Sequence, residues 1–359
     1  MSKKTVESQN DLNLRKRQSR SKSNSITIRD VAREAGVSVA TVSRVLNKFD
    51  TVGTEIRDHV LEVAAKLRYA PQAAARALAT QKSRVIGAII PTLEDLVFAR
   101  AVEILQSRLQ NNGYTLLLGI SNYDKQEEFR QIQALAGQGA VGVFLVGAER
   151  EERVYTYLNE KRIAYINSWV LDPNHPSVGF DNELIGFTVA NYLLDLGHRN
   201  FAVITQYWAE SDRASSRMKG IERALIARKA GKPSVYAIKR SHKIADGQLA
   251  MRSLWQNDPS ITAVICGADT LAFGAMIEAA AIGLHVPNDI SITGINDLEF
   301  ASHTVPPLTT VSLQAAEVGE RAAEYLMAHA EGRNTVRKSA IPFNLIVRGS
   351  TGPARDRGK

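Results

Sequence analysis

The sequence predicts a small all-α helix-turn-helix head, joined by a hinge helix to an α/β core of two doubly wound lobes. Three observations carry that prediction. An amphipathic helix pair flanks a Gly36-Val37-Ser38 corner, short apolar runs alternate with helical patterns from Arg84 onward, and the net positive charge is confined to the N-terminal part of the chain.

The head comes first in the chain. Thr27 is placed to cap a helix whose apolar residues Ile28, Val31, Ala32 and Ala35 recur at i, i+3, i+4 and i+7, so one face is expected to be buried. Gly36 supplies the positive φ that closes this helix, Val37 plugs the angle between helices, and Ser38 caps the next. The second helix turns Val42, Val45 and Leu46 inward. Its other face, Val39, Ala40, Thr41, Ser43, Arg44 and Asn47, is left for base edges and phosphates, the disposition of a recognition helix entering a major groove N-terminus first. A three-helix packing unit with no ligand is the competing reading. It does not account for the coincidence of the Gly-x-Ser corner, the small outward residues and the local charge. A loop over Lys48 to Val52 leads to a third helix expected to bury Ile56, Val60, Val63, Ala64 and Leu67.

Charge separates the head from the rest. Residues 1–82 hold 16 Lys and Arg against 8 Asp and Glu, whereas residues 83–359 hold 29 of each, so the whole excess of +8 lies on the first segment. A phosphate-binding head on a neutral body has this distribution, because neutralised phosphates release counterions. Residues 1–25 lack periodicity and are rich in Ser, Asn, Lys and Arg, as expected of a disordered basic tail. From Pro71, the segment Gln72 to Ala79 is an alanine-rich helix carrying Arg76 and, near its end, Leu78. A helix that buries so little is expected to form only against DNA and its twin from a second chain. Leu78 is suited to wedging between base steps from the minor groove.

From Arg84 the strands read VIGAII (Val85 to Ile90), YTLLLGI (Tyr114 to Ile120), VGVFLV (Val141 to Val146), IAYIN (Ile163 to Asn167), FAVIT (Phe201 to Thr205), TAVICG (Thr262 to Gly267) and ISITGI (Ile290 to Ile295). These short, apolar, non-alternating runs fit parallel strands covered on both faces. Helices are expected between them, among them Val97 to Asn111, Glu183 to Leu196, Ser216 to Arg228, Thr270 to Ile282 and Gln314 to Ala330. The unit recurs too often for one compact sheet. Two lobes with a ligand at the strand C-termini between them are the economical solution. The expected division is therefore 1–25 tail, 26–70 head, 71–83 hinge helix and linker, 84–351 core and 352–359 tail.

Several classes are disfavoured. The only cysteine, Cys266, excludes a disulfide framework and points to a reducing cytoplasm, and no signal peptide or membrane-length apolar run is present. No phosphate-loop, HExxH, CxxC or GxSxG motif occurs, and the histidines are scattered without metal-ligand spacing. Catalysis, a metal and a cofactor are not expected.

The chain resembles the LacI/GalR family of transcriptional regulators from Thr27 to about Thr351. The marks are DVAREAGVSVATVSRVLN at Asp30 to Asn47, YAP with RAL at Tyr69 to Leu78, LGHRN at Leu196 to Asn200, RMKG at Arg217 to Gly220 and PPLTTV at Pro306 to Val311. The resemblance implies a homodimer on a pseudopalindromic double-stranded DNA operator, with a core like a periplasmic sugar-binding protein and a small-molecule effector between its lobes. It implies base or phosphate contacts for Thr27, Val39, Ala40, Thr41, Ser43, Arg44 and Asn47, and hinge contacts for Gln72, Arg76 and Leu78. Gln72 departs from the usual asparagine, and Gly53 from a usual capping serine.

For the effector it implies Phe98, Asn167, Arg213, Arg217, His242 and Asn296. Ala268 and Asn296 depart from the common Asn and Asp, so a carboxylate is lost beside a retained arginine. Together with a similarity to gluconate-responsive members at Val97-Phe98-Ala99, Val178 to Asn182 and Asp212-Arg213, this points to a sugar acid. Asp269 is expected to cap a helix and Asp181 to be structural. The expected function is a dimeric repressor of carbohydrate or sugar-acid catabolism genes. No apolar heptads follow the last strand, so a dimer rather than a tetramer is expected. A sugar-binding transport or chemoreceptor protein, and a global regulator controlled by a phosphoprotein partner, are the alternatives.

Overall fold

The computed structural model of the chain describes residues 26–46, 52–69, 83–207, 211–239 and 243–355. The chain divides into two compact units, residues 1–82 and 83–359.

In the first unit, helices α1 (Ile28–Glu34), α2 (Val39–Leu46) and α3 (Thr54–Lys66) enclose a core of Val31, Ala32, Ala35, Val42, Val45, Val60, Val63 and Ala64. Each buried valine contributes about 1.5 kcal/mol, so this is a small core that depends on its helix ends. Those ends are well made. The Asp30 carboxylate accepts the Thr27 backbone N–H at 3.0 Å and the Thr27 hydroxyl at 2.7 Å. Gly36 sits at φ +65°, with its N–H on the Arg33 carbonyl and the Val37 N–H on the Ala32 carbonyl, the paired bonds of a Schellman ending. Ser38 Oγ then accepts the Thr41 N–H at 3.0 Å. Gly53 starts α3 without a side-chain cap. One expectation fails here: Ile56 is 46% exposed, and burial on α3 begins at Val60.

The second unit contains two six-stranded sheets among the described residues. Lobe 1 comprises β1 (Val85–Ile90), α4 (Leu96–Asn111), β2 (Thr115–Ile120), α5 (Lys125–Gly137), β3 (Ala140–Val146), α6 (Glu152–Glu160), β4 (Ala164–Ser168) and β5 (Ser177–Gly179). Lobe 2 runs α7 (Asn182–Asp195), β6 (Phe201–Gln206), α8 (Asp212–Ala227), β7 (Ser234–Ile238), α9 (Ile244–Asn257), β8 (Ala263–Cys266), α10 (Asp269–Ala281), β9 (Ser291–Asn296) and β10 (Thr309–Leu313). Helix α11 (Ala315–Ala330) returns to pack on α4, β3 and β4. Strands β11 (Lys338–Ala340) and β12 (Phe343–Ile346) then complete one sheet each.

The strand orders are β2-β1-β3-β4-β5-β11 and β7-β6-β8-β9-β10-β12, the same doubly wound order twice. Every pairing is parallel except β10 with β12. Strands β1, β4 and β6 are almost wholly buried, as non-alternating runs require when helices cover both faces. Because the chain crosses between lobes after β5, after β10 and between β11 and β12, the strand C-termini of the two sheets face one another across a cleft. Helix α8 begins at Asp212, a turn earlier than its pattern predicts, since Ser211 caps it through the Ala214 N–H.

Candidate functional site

The head presents the outward face anticipated for a recognition helix. On α2, Val39, Ala40 and Arg44 are exposed and Thr41 and Ser43 half-buried, while Val42 and Val45 point inward. The Thr41 hydroxyl lies 2.8 Å from that of Ser38 and the Thr27 hydroxyl donates to Asp30, so both are held in fixed orientations on the surface. An apolar pair at the helix N-terminus, followed by a cationic side chain on the same face, matches thymine methyls and then guanine or phosphate. Asn47, Gln72, Arg76 and Leu78 lie outside the described residues.

In the core, a narrow cleft of about 40 Å³ lies between the lobes, built from strand C-termini. Asp95, Val97 and Phe98 come from the start of α4, Trp169 from the end of β4, and Thr205 and Gln206 from the end of β6. Ser211, Arg213, Ala214 and Arg217 come from α8 and its cap, Gly267 and Ala268 from the end of β8, Asn296 from β9 and Leu313 from β10. Phe98 and Trp169 meet edge to face at 5.6 Å between centroids and form the apolar wall of lobe 1. The Arg213 guanidinium stands 5.9 Å over the Phe98 ring and donates to Asp212 at 2.9 Å. Arg217 donates from Nε to Asn182 Oδ1 at 2.9 Å and from Nη1 to the Gly267 carbonyl at 3.3 Å. Desolvation, with Arg213 adding like-charge repulsion, brings the Arg217 guanidinium down to about 10, so it remains cationic at neutral pH.

Four of the six expected effector residues, Phe98, Arg213, Arg217 and Asn296, therefore meet in one cleft. His242 lies outside the described residues. Asn167 is placed elsewhere: it is fully buried in lobe 1, donating to Tyr155 at 3.0 Å and Asp172 at 2.9 Å and accepting from Arg150 at 3.1 Å. It lies one residue before the end of its strand, and the carboxamide points into this network and is not among the cleft residues. Asp269 also differs from expectation. Ala268 is the N-cap, and the Asp269 carboxylate instead accepts the Leu298 N–H at 2.7 Å and the Thr310 hydroxyl at 2.5 Å, binding α10 to the turn after β9 and to β10. Asp181 caps α7 through the Leu184 N–H. His198 is buried against Thr262, Ser291 and the Gly352 carbonyl, which makes it a tie between strands.

Trp169 and Gln206 were not legible as site residues. Trp169 adopts φ +68°, and that turn, which no local pattern announces, aims the ring into the cleft. Gln206 extends β6 one residue past its apolar run. Among the described residues no helix is long and apolar enough to cross a membrane, and no cluster of His, Cys, Asp and Glu is arranged to hold a metal ion.

A head with a recognition helix and a two-lobed core with an interlobe cleft define a ligand-gated DNA-binding regulator. Residues 27–72 match the family model of bacterial regulatory proteins, lacI family, and residues 190–351 that of the periplasmic binding protein-like domain. The ribose operon repressor of Haemophilus influenzae is 30% identical over 86% of this chain and 93% of its own length. Catabolite control protein A of Priestia megaterium is 30% identical over 91% and 99%. The crystal structure of the lac repressor dimer bound to operator and the anti-inducer ONPF shares the fold, with a TM-score of 0.81 at 24% identity over 92% of this chain and all of that one. The chain belongs to the LacI family of bacterial regulatory proteins: it is a DNA-binding transcriptional regulator and not an enzyme.

Proposed function

We propose that the chain acts as a homodimeric repressor on a pseudopalindromic operator and that a sugar acid in the interlobe cleft releases it from DNA. The observation that carries the effector reading is Arg217. Its guanidinium lines the cleft, is largely desolvated, and has no carboxylate within ion-pair distance among the described residues. A desolvated cation needs a counter-charge, and a ligand carboxylate provides one in the planar geometry that a guanidinium matches. The Phe98 and Trp169 rings offer flat apolar surface to the carbon face of a polyol. That one relative is named for a ribose operon supports the carbohydrate class. Binding that favours one lobe arrangement shifts the population between DNA-competent and DNA-incompetent dimers by the ligand's differential affinity.

The test pairs two measurements on the full chain. Melting is followed with D-gluconate, D-glucose and D-ribose, and operator binding is followed by gel shift on a site selected from random DNA. Stabilisation by gluconate with release from DNA supports the reading. Stabilisation by the neutral sugars alone sinks the acid, and loss of selected-site binding should follow Arg44→Ala.

A further inference from the structure

Two residues that line the cleft each carry a buried hydrogen-bond donor with no partner among the described residues. Trp169 Nε1, on lobe 1, and Gln206 Nε2, on lobe 2, have no hydrogen-bond partner among the described residues, although their side chains are 2% and 5% exposed. Both line the same cavity as Arg213 and Arg217. Buried N–H groups are almost always paired, and an orphan in a cleft marks a place where a ligand atom completes the pairing. Asp95 is the single carboxylate among the described lining residues, and its Oδ1 already accepts the Val97 N–H that caps α4.

From these two unpartnered donors we infer that Trp169 and Gln206 are specificity-determining residues that donate, from opposite lobes, to two separate acceptor oxygens of an oxygen-rich anion whose carboxylate faces Arg217. The inference rests on the cleft being the effector site and adds to it which residues read the ligand and with which atoms. A carboxylate brings four lone-pair sites and no proton of its own, which suits two unpartnered N–H groups beside a guanidinium. Because one donor belongs to each lobe, a ligand engaging both also ties the lobes together. A molecule that reached only one would bind without closing the cleft.

The experiment is calorimetric titration of the full-length protein with D-gluconate and D-glucose, on the wild type and on Gln206→Leu, Gln206→Glu and Trp169→Phe, with unliganded melting as the folding control. Gln206→Leu and Trp169→Phe, each lacking one donor, are expected to weaken gluconate about 10-fold. Gln206→Glu, of the same shape but opposite demand, is expected to weaken it about 100-fold and to reduce the preference for gluconate over glucose. Gluconate affinity within twofold of wild type in folded Gln206→Leu and Gln206→Glu overturns the inference and leaves the cleft as effector site intact. Absence of binding by either probe to the wild type, or binding of glucose alone, overturns the acid reading itself and this inference with it. Should Trp169→Phe not fold, the two Gln206 variants still decide.

Discussion

The carboxylate of Asp212 accepts the Ala148 backbone N–H at 2.6 Å, and this hydrogen bond joins lobe 2 to lobe 1. The same oxygen receives the Glu149 N–H at 3.3 Å, and the other holds Arg213, which stands over Phe98. Arg213, which lines the cleft, thus shares a carboxylate with an interlobe tie. Gly147, beside this contact, sits at φ +76°, a backbone conformation that favours glycine.

Asp212→Asn should destabilise the core by about 1–3 kcal/mol at pH 7, the usual cost of stripping charge from buried bonds. Burial pushes the Asp212 carboxyl up, but Arg213 and the Ala148 N–H outweigh it and hold it below the ordinary 3.8. A depressed folded value means the stabilisation is complete above the unfolded pKa and fades as pH falls through the folded one. Urea titrations of the two proteins should therefore converge below about pH 4; a constant difference down to acid pH would show that the charge is irrelevant.

Asp269 should behave in the opposite way. Its burial exceeds the help it receives from the Thr310 hydroxyl and the Leu298 N–H, and the carboxyl is pushed up to about 6. A raised folded value makes the native state the better proton binder between about 4 and 6, so this group's contribution falls as pH rises through that window, by about 3 kcal/mol in all. Asp269→Asn should flatten that descent in a stability profile between pH 4 and 7. An unchanged slope would refute the assignment.

Asn296 lines the cleft at φ +120° and is followed by Asp297 at φ +55°, a pair of left-handed residues pinned by Arg348 on Asp297 at 2.7 Å. Backbone strain of this kind costs about 1–3 kcal/mol per residue and is kept where function needs the direction. Asn296→Gly should raise the melting midpoint of the unliganded protein while weakening effector binding. A variant that loses both would mean the side chain supports the fold.

Helices α7 and α8 cross at Gly186 and Gly220. A methyl on Gly186 would overlap the Arg217 carbonyl, and one on Gly220 the Glu183 carbonyl. Gly186→Ala should force α8 outward, costing several kcal/mol by overpacking and displacing the guanidinium of Arg217. Chemical denaturation reads the first effect and gluconate titration the second.

How much of this was legible beforehand differs by element. Both the Gly36 corner and the Val31, Ala32, Val42 and Val45 core follow from spacing alone, because a helix places i, i+3 and i+4 together whatever surrounds it. Ile56 has the same spacing and is exposed, since burial also needs a neighbour at that height. In the core, apolar runs announced parallel strands, yet β5 and β11 are three residues each and too short to carry a pattern. Arg217 and Asn296 were expected from the family resemblance, whereas Trp169, Gln206 and the role of Asn167 were not. Their directions depend on a left-handed turn, one extra strand residue and a network reaching Arg150 and Asp172.

By itself the sequence determined the class of protein: a basic helix-turn-helix head and a neutral two-lobed body. Local periodicity, turn chemistry and charge are enough for that, because each acts over a few residues. Only the tertiary structure decided how the cleft works. Asp212 and Ala148 are 64 residues apart, Trp169 and Gln206 stand on different sheets, and no local interaction places either pair; the crossings of the chain between the lobes do.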